Sequence, residues 1–218
     1  MSMKAGIDSS HGMTYTGMIS GHSAKINYLY NDLLKEFSKY NVKSLHWRKI
    51  PSTTKDRLRN HVVASINNSD IKINIFKHEH IMDFPTKNVV LELLPQHISL
   101  KLCPWLREID GEFHLDINDD YNKGSMKTET FIKNLVETIN YHCTGKKIDC
   151  RSTVKSNGLF ICRSTIRTRK GILEICAHKT NSKFSNAIQI VDLILGYWIE
   201  NKAYFNKSKV AFWDIFKK

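Results

Sequence analysis

The chain is poor in the residues that punctuate or staple a fold. Only 4 prolines and 10 glycines occur in 218 residues. No Pro-, Gly- or Ser-rich stretch separates one part from another, so no linker or domain boundary is marked. The 5 cysteines are scattered at Cys103, Cys143, Cys150, Cys162 and Cys176. None forms a C-x-x-C pair and no histidine pair stands at zinc spacing, which excludes a zinc finger or ribbon. They read as reduced, mostly buried thiols. No apolar run reaches the roughly 18 residues of a membrane span, and the start carries no secretory apolar core. A soluble, cytoplasmic protein without a membrane partner is expected. Walker-type and dinucleotide glycine loops are missing, which removes NTP- and NAD-driven chemistry. So is the G-x-S-x-G elbow of the serine hydrolases. There is no internal repeat.

Acid is also scarce in one half of the sequence. Lys and Arg total 33 against 21 Asp and Glu, a formal +12. The stretch 141–218 holds 15 basic and 5 acidic residues, a net +10, whereas 1–140 holds 18 and 16, a net +2. A basic half beside a near-neutral half points to a polyanionic partner, RNA or DNA.

The apolar pattern alternates between two periods. Lys4–Asp8 reads as a strand, 9–12 as a turn and Met13–Ser20 as the partner strand. Lys25–Tyr40 repeats Ile26, Leu29, Leu33 and Phe37 at helical spacing, and 52–69 does the same with Leu58, Val62 and Ile66. Between them "KSLHWRKIP" is irregular. Ile71, Ile73 and Ile75 alternate in a strand over 70–80. Thr86–Leu106 reads as a helix broken near Pro95, 111–119 as a strand and Thr128–His142 as an amphipathic helix. Two or three short basic strands follow, joined at Asn157–Gly158 and Lys170–Gly171. A strongly apolar helix over 185–205 and a basic, aromatic tail from about 201 close the chain. The expected fold is a single α/β domain over 1–218, with a mixed central sheet flanked by helices.

Three acids break the rule of apolar burial. Asp8 ends the first strand, Asp116 (with Asp119 and Asp120 beyond it) lies on or after a later strand, and Asp192 sits inside "AIQIVDLILGYWI". A buried carboxylate requires a cation, a hydrogen-bond network or a proton. One divalent cation shared among several would satisfy them together, and oxygen ligands suit Mg²⁺ or Mn²⁺. Two such ions about 3.5–4 Å apart clamp the oxygens of a phosphodiester. Three of these acids also have a plainer use: Asp8 as a turn cap, Asp116 on a wet strand face, Asp119 (with Asp120) in a solvated loop; Asp192, a lone acid in an apolar helix, caps nothing there.

The pattern of an acid on the first strand of a hairpin, one on a later strand and one on a C-terminal helix resembles the RNase H-like fold. "AGIDSSHG", "MTYTGMISG", "SLHWRKI" and above all "SKFSNAIQIVDLILGYWIE" resemble the prokaryotic domain of unknown function 3800 family, from Lys4 to about Glu200. The resemblance implies an RNase H-like fold and a divalent-metal-dependent nuclease. Asp8, Asp116 or Asp119, and Asp192 would be its catalytic metal ligands, and His46 its histidine after the first helix. Ser9 stands where the family has a second acid, and Ser44–Leu45 where an acid precedes the histidine. That departure motivates the alternative of a non-catalytic nucleic-acid-binding or adaptor protein on the same fold. A protein-interaction module, such as a defence or mobile-element accessory, is a third reading.

The basic strands have a mechanism of their own. Residues two apart share a strand face, so Arg163, Arg167 and Arg169 are expected to project together and bind phosphates without reading sequence. Lys49, Arg151, Lys155 and Lys170 are further candidates for nucleic-acid contact. His78, Glu79 and His80 form a weaker metal candidate at a strand end. Trp47, Tyr197, Trp198 and Trp213 serve either the core or base stacking.

Overall fold

A computed structural model describes residues 2–10, 14–78, 89–119, 127–156, 158–200 and 205–215. The chain folds as α/β, with one eight-stranded mixed sheet ordered β5-β6-β7-β4-β1-β2-β3-β8. The strands are β1 (Ser2–Ser10), β2 (Tyr15–His22), β3 (Lys72–Lys77), β4 (Gly111–Asn118), β5 (Arg151–Val154), β6 (Phe160–Arg167), β7 (Ile172–Thr180) and β8 (Val210–Asp214). The helices are α1 (Ser23–Ser38), α2 (Ser52–Asn68), α3 (Leu94–Leu106), α4 (Thr128–Thr144) and α5 (Asn186–Ile199). None of these helices is long and apolar enough to cross a membrane.

Strand β1 lies inside the sheet, antiparallel to β2 and parallel to β4. Its alternation assigns the two faces. Met3, Ala5 and Ile7 join Phe113, Leu115 and Ile117 of β4 beneath α3 and α4. The opposite face carries Lys4, Gly6 and Asp8 of β1, with His114, Asp116 and Asn118 of β4. Here α5 crosses β1 and β2 and packs against α1, with α2 beyond; Ile19, Leu33, Phe37, Ile75, Val191 and Leu195 share the second core. Two glycines permit that crossing. A Cβ on Gly6 would lie 2.6 Å from the Ala187 side chain, and one on Gly17 would lie 2.6 Å from Val191.

Several expected boundaries move. Strand β1 runs to Ser10, and the turn at 11–13 lies outside the described residues. The helical run does change character next to Pro95, which sits in the first turn of α3. A π-helical turn, Val89–Leu93, precedes it. The 70–80 strand is confined to Lys72–Lys77, and Glu79 and His80 lie outside the described residues. The last helix stops at Ile199, and the basic tail supplies β8, which pairs in parallel with β3. Not all five cysteines are reduced: Cys150 and Cys162 form a disulfide, leaving Cys103, Cys143 and Cys176 free. The bond became possible because Cys150 directly precedes β5, the antiparallel partner of β6, which carries Cys162.

Candidate functional site

Each of the three expected acids is held by its own set of protein donors. Asp8 is buried at the end of β1, where its Oδ1 accepts the Ser9 N–H at 2.8 Å and the Asn118 side-chain amide at 2.8 Å. The Asn118 Oδ1 in turn accepts the Asp119 N–H at 3.0 Å. The residue that the parallel register brings to Asp8 is therefore Asn118, one pleat beyond Asp116 on the same face.

Asp116 is buried too, one step back toward the middle of the sheet. Its Oδ2 lies 2.7 Å from the Lys4 ammonium and accepts the Ser185 hydroxyl at 2.6 Å, and its Oδ1 faces His178 Nδ1 at 3.8 Å. Burial alone would raise its pKa. Contact with His178, Lys4 and Ser185 outweighs burial and holds the carboxyl at about 2. The Ser185 oxygen also caps α5, accepting the Ile188 N–H at 3.3 Å. One hydroxyl thus ties the start of α5 to the acid on β4.

Asp192 is the lone acid of an apolar helix because a neighbouring segment needs acceptors. Its Oδ2 accepts the Trp47 backbone N–H at 2.9 Å and lies 2.6 Å from His46 Nδ1. One turn earlier Gln189, also buried, accepts the Leu45 N–H at 3.0 Å. Together they clamp the irregular 45–47 segment, and Trp47 packs into the second core against Tyr197. The turn of α5 that holds Asp192 crosses the sheet near the level of Asp8: Val191 lies on Gly17, and Gly17 is the register partner of Asp8.

Asp119 faces the start of α4 instead. It accepts the Thr128 hydroxyl at 3.0 Å and lies 3.7 Å from Lys179, which also bonds Glu129 at 2.5 Å. Asp120 lies outside the described residues. Of the weaker metal candidates, His78 is buried and shares a hydrogen bond with Thr16 at 3.0 Å; burial lowers its pKa to about 4, so it is neutral. Among the described residues no group of three or more His, Cys, Asp or Glu is placed to hold a metal ion.

The basic residues fall into two groups. Arg163 and Arg167 share the exposed face of β6, and Arg151 of β5 stands directly opposite Arg163. Arg169 does not continue the row, because β6 ends at Arg167; it ion-pairs with Glu108 at 2.6 Å. Lys49, Lys155 and Lys170 are exposed, the first in the short turn before α2. Arg151 and Arg163 line a cleft of about 830 Å³ on the sheet face, with Thr153, Thr165, His114 and Cys176. Glu112, Asp149 and Glu174 line the same cleft, yet neither arginine makes an ion pair with any described residue.

Asn118, Lys4, Ser185 and Gln189 were not among the expected site residues. Gln189 carried a signal, a second polar residue one turn before Asp192 in the same apolar helix. The others depend on which strand lies beside which. Comparison with protein-family models, with curated proteins and with solved structures finds no match.

Proposed function

We propose that the chain is a nucleic-acid-binding protein on an RNase H-like scaffold, in which the three acids brace the fold and the open basic strand face contacts the phosphate backbone. The observation that carries this reading is the opposition of Arg151 and Arg163 across β5 and β6, with no carboxylate among the described residues paired to either. Like charges directly opposite each other on a sheet cost about 0.2–1 kcal/mol. A phosphate between them would turn that cost into attraction and displace counterions. Support for the RNase H-like scaffold is the mixed sheet with helices on both faces, an opening antiparallel hairpin, and a first strand that carries an acid near its end beside a parallel partner.

The acids support bracing over catalysis. The Lys4 ammonium lies against Asp116, His46 Nδ1 and the Trp47 N–H against Asp192, and Asn118 stands beside Asp8 where a second carboxylate would be needed. As placed, the described residues do not form a ligand set for Mg²⁺ or Mn²⁺, and no hydrolytic step is derived through one. The metal-dependent nuclease stands as a second reading on one observation: Asp8 and Asn118 meet at the carboxyl ends of β1 and β4, the edge where open α/β sheets bind ligands.

Binding of labelled single- and double-stranded RNA and DNA, followed by anisotropy across a salt series, tests the proposal. Salt-sensitive binding that weakens in Arg151→Gln and Arg163→Gln is expected, and absence of binding at low salt overturns it. Incubation of the same substrates with Mn²⁺, Mg²⁺ or EDTA decides the second reading. Metal-dependent cleavage lost in Asp8→Ala would restore the nuclease.

A further inference from the structure

Between α3 and α4 lies a cysteine pair that neither reading uses. Cys103 of α3 and Cys143 of α4 are both free, and their sulfurs lie 2.8 Å apart. Cys103 is buried, whereas Cys143 is partly exposed. Cys143 opens into a cleft of about 560 Å³ that is also lined by Arg107, Thr144, Lys146, Arg167 and Arg169. The Arg107 guanidinium is anchored on the His142 carbonyl, next to Cys143 in sequence. The Arg169 backbone N–H bonds the Arg107 carbonyl at 3.0 Å, which closes the cleft on that side. Four cations therefore surround one accessible thiol. Only Arg169 has a carboxylate partner, Glu108, and Lys146 and Arg167 pair with no described acid.

We propose that Cys143 and Cys103 form a reactive dithiol, oxidised by an anionic low-molecular-weight disulfide drawn into this basic cleft. Exposure assigns the roles. The Cys143 thiolate attacks one sulfur of the reagent; the reagent's S–S bond breaks, the first thiolate leaves, and a mixed disulfide forms on Cys143. Cys103 then gives up its proton and attacks the Cys143 sulfur, expelling the second thiolate. The two protein thiols lose two electrons, the reagent disulfide gains them, and the two S–H protons end on the two released thiols. Nothing further is consumed. The sulfurs need only close from 2.8 Å to a bond of about 2.05 Å, which joins α3 to α4.

The electrostatics agree with those roles. The Cys103 thiol, with help from Arg107 and against the effect of burial, holds Cys143 below the ordinary thiol range. Contact with Cys143 and burial push Cys103 upward, so Cys143 is the thiol of the pair that ionises first. This inference uses neither Arg151 nor Arg163, although Arg167, on the same face of β6 as Arg163, also borders this cleft.

The test uses the full chain with the Cys150–Cys162 bond left intact. Oxidised glutathione, an anionic disulfide, is compared with cystamine, a cationic one, and acid-quenched samples are mapped by mass spectrometry. Thiolation of Cys143 followed by a Cys103–Cys143 bond is expected, about tenfold faster with glutathione disulfide. Cys103→Ser stops the reaction at the mixed disulfide on Cys143. Lys146 and Arg167 are exposed, so the double variant Lys146→Gln, Arg167→Gln keeps the fold and removes the preference for the anionic reagent. Equal rates with both reagents, thiolation of Cys176 in place of Cys143, or failure of the Cys103–Cys143 bond to form would overturn the proposal.

Discussion

Asn118 donates its side-chain amide to the Asp8 carboxylate across 2.8 Å, joining the ends of two parallel strands with a neutral partner. Asn118→Asp replaces that donor with a second carboxylate at the same place. In EDTA the variant is expected to lose about 1–3 kcal/mol, the cost of a buried acceptor stripped of its partner. For a chain of this size that corresponds to roughly 2–4 °C in Tm per kcal/mol. Millimolar Mn²⁺ is expected to restore part of the loss in Asn118→Asp and to leave the wild type unmoved. Melting curves with and without the ion decide the matter. A wild type stabilised by Mn²⁺ as strongly as the variant would show that Asn118 is no barrier to metal binding.

The Asp116 carboxyl, held at about 2 against an ordinary value of 3.8, makes stability depend on pH in one direction. The folded state binds its proton later than the unfolded state. Its contribution is therefore complete above pH 4 and is lost as pH falls from about 4 through 2. The full difference is on the order of 2 kcal/mol. Denaturant titrations between pH 2 and 5 are expected to show a steeper loss in wild type than in Asp116→Asn. Parallel curves would mean that Lys4, Ser185 and His178 do not hold the charge as described.

Period-two and helical alternation were enough to find most of the elements, because Ile71, Ile73 and Ile75, or Leu29, Leu33 and Phe37, encode burial within a few residues of one another. The hairpin pairings of β1 with β2 and of β6 with β5 and β7 were legible from their turns, but the parallel pairings were not. Asp8 meets Asn118 110 residues away, and a parallel register of this kind leaves no local mark on either strand. Counting along β4 alone put the weight on Asp116, which shares the face with Asn118 but lies one pleat short of Asp8. The acid of α5 was conspicuous for a sound reason, yet its use could not be read off: the N–H it accepts belongs to Trp47, in a segment without periodicity. Arg169 was grouped with Arg163 and Arg167 by spacing, but the strand ended first and Glu108 captured it.

That difference between the arginines is testable through salt. Each phosphate contact removed from a duplex complex lowers the slope of log K against log salt by about 0.9, or by about 0.7 on single strands. Arg151→Gln and Arg163→Gln are each expected to lower it by about that amount. Arg169→Gln, whose charge Glu108 already compensates at 2.6 Å, is expected to leave the slope nearly unchanged. If all three variants shift it alike, the basic face extends past the end of β6 and the cross-strand pair has no special place in it.

Asp192 separates a brace from a metal ligand through two substitutions of different kind. Asp192→Ala strands the Trp47 N–H, and about 1–3 kcal/mol of stability should go with it. Asp192→Asn keeps a carbonyl oxygen for that N–H and gives up the negative charge that lies beside His46, so its loss should be below about 1 kcal/mol. Nucleic-acid affinity in Asp192→Asn should match the wild type, since the carboxylate acts on the 45–47 segment and not on the open face. Under the nuclease reading the order inverts: Asn is a poor substitute for a carboxylate ligand, and Asp192→Asn would remove any metal-dependent cleavage while folding almost as well as the parent. Melting temperature and cleavage measured on the same two proteins therefore give opposite patterns. A variant that is stable, binds nucleic acid and retains whatever activity the parent has would establish Asp192 as a hydrogen-bond acceptor that happens to be charged.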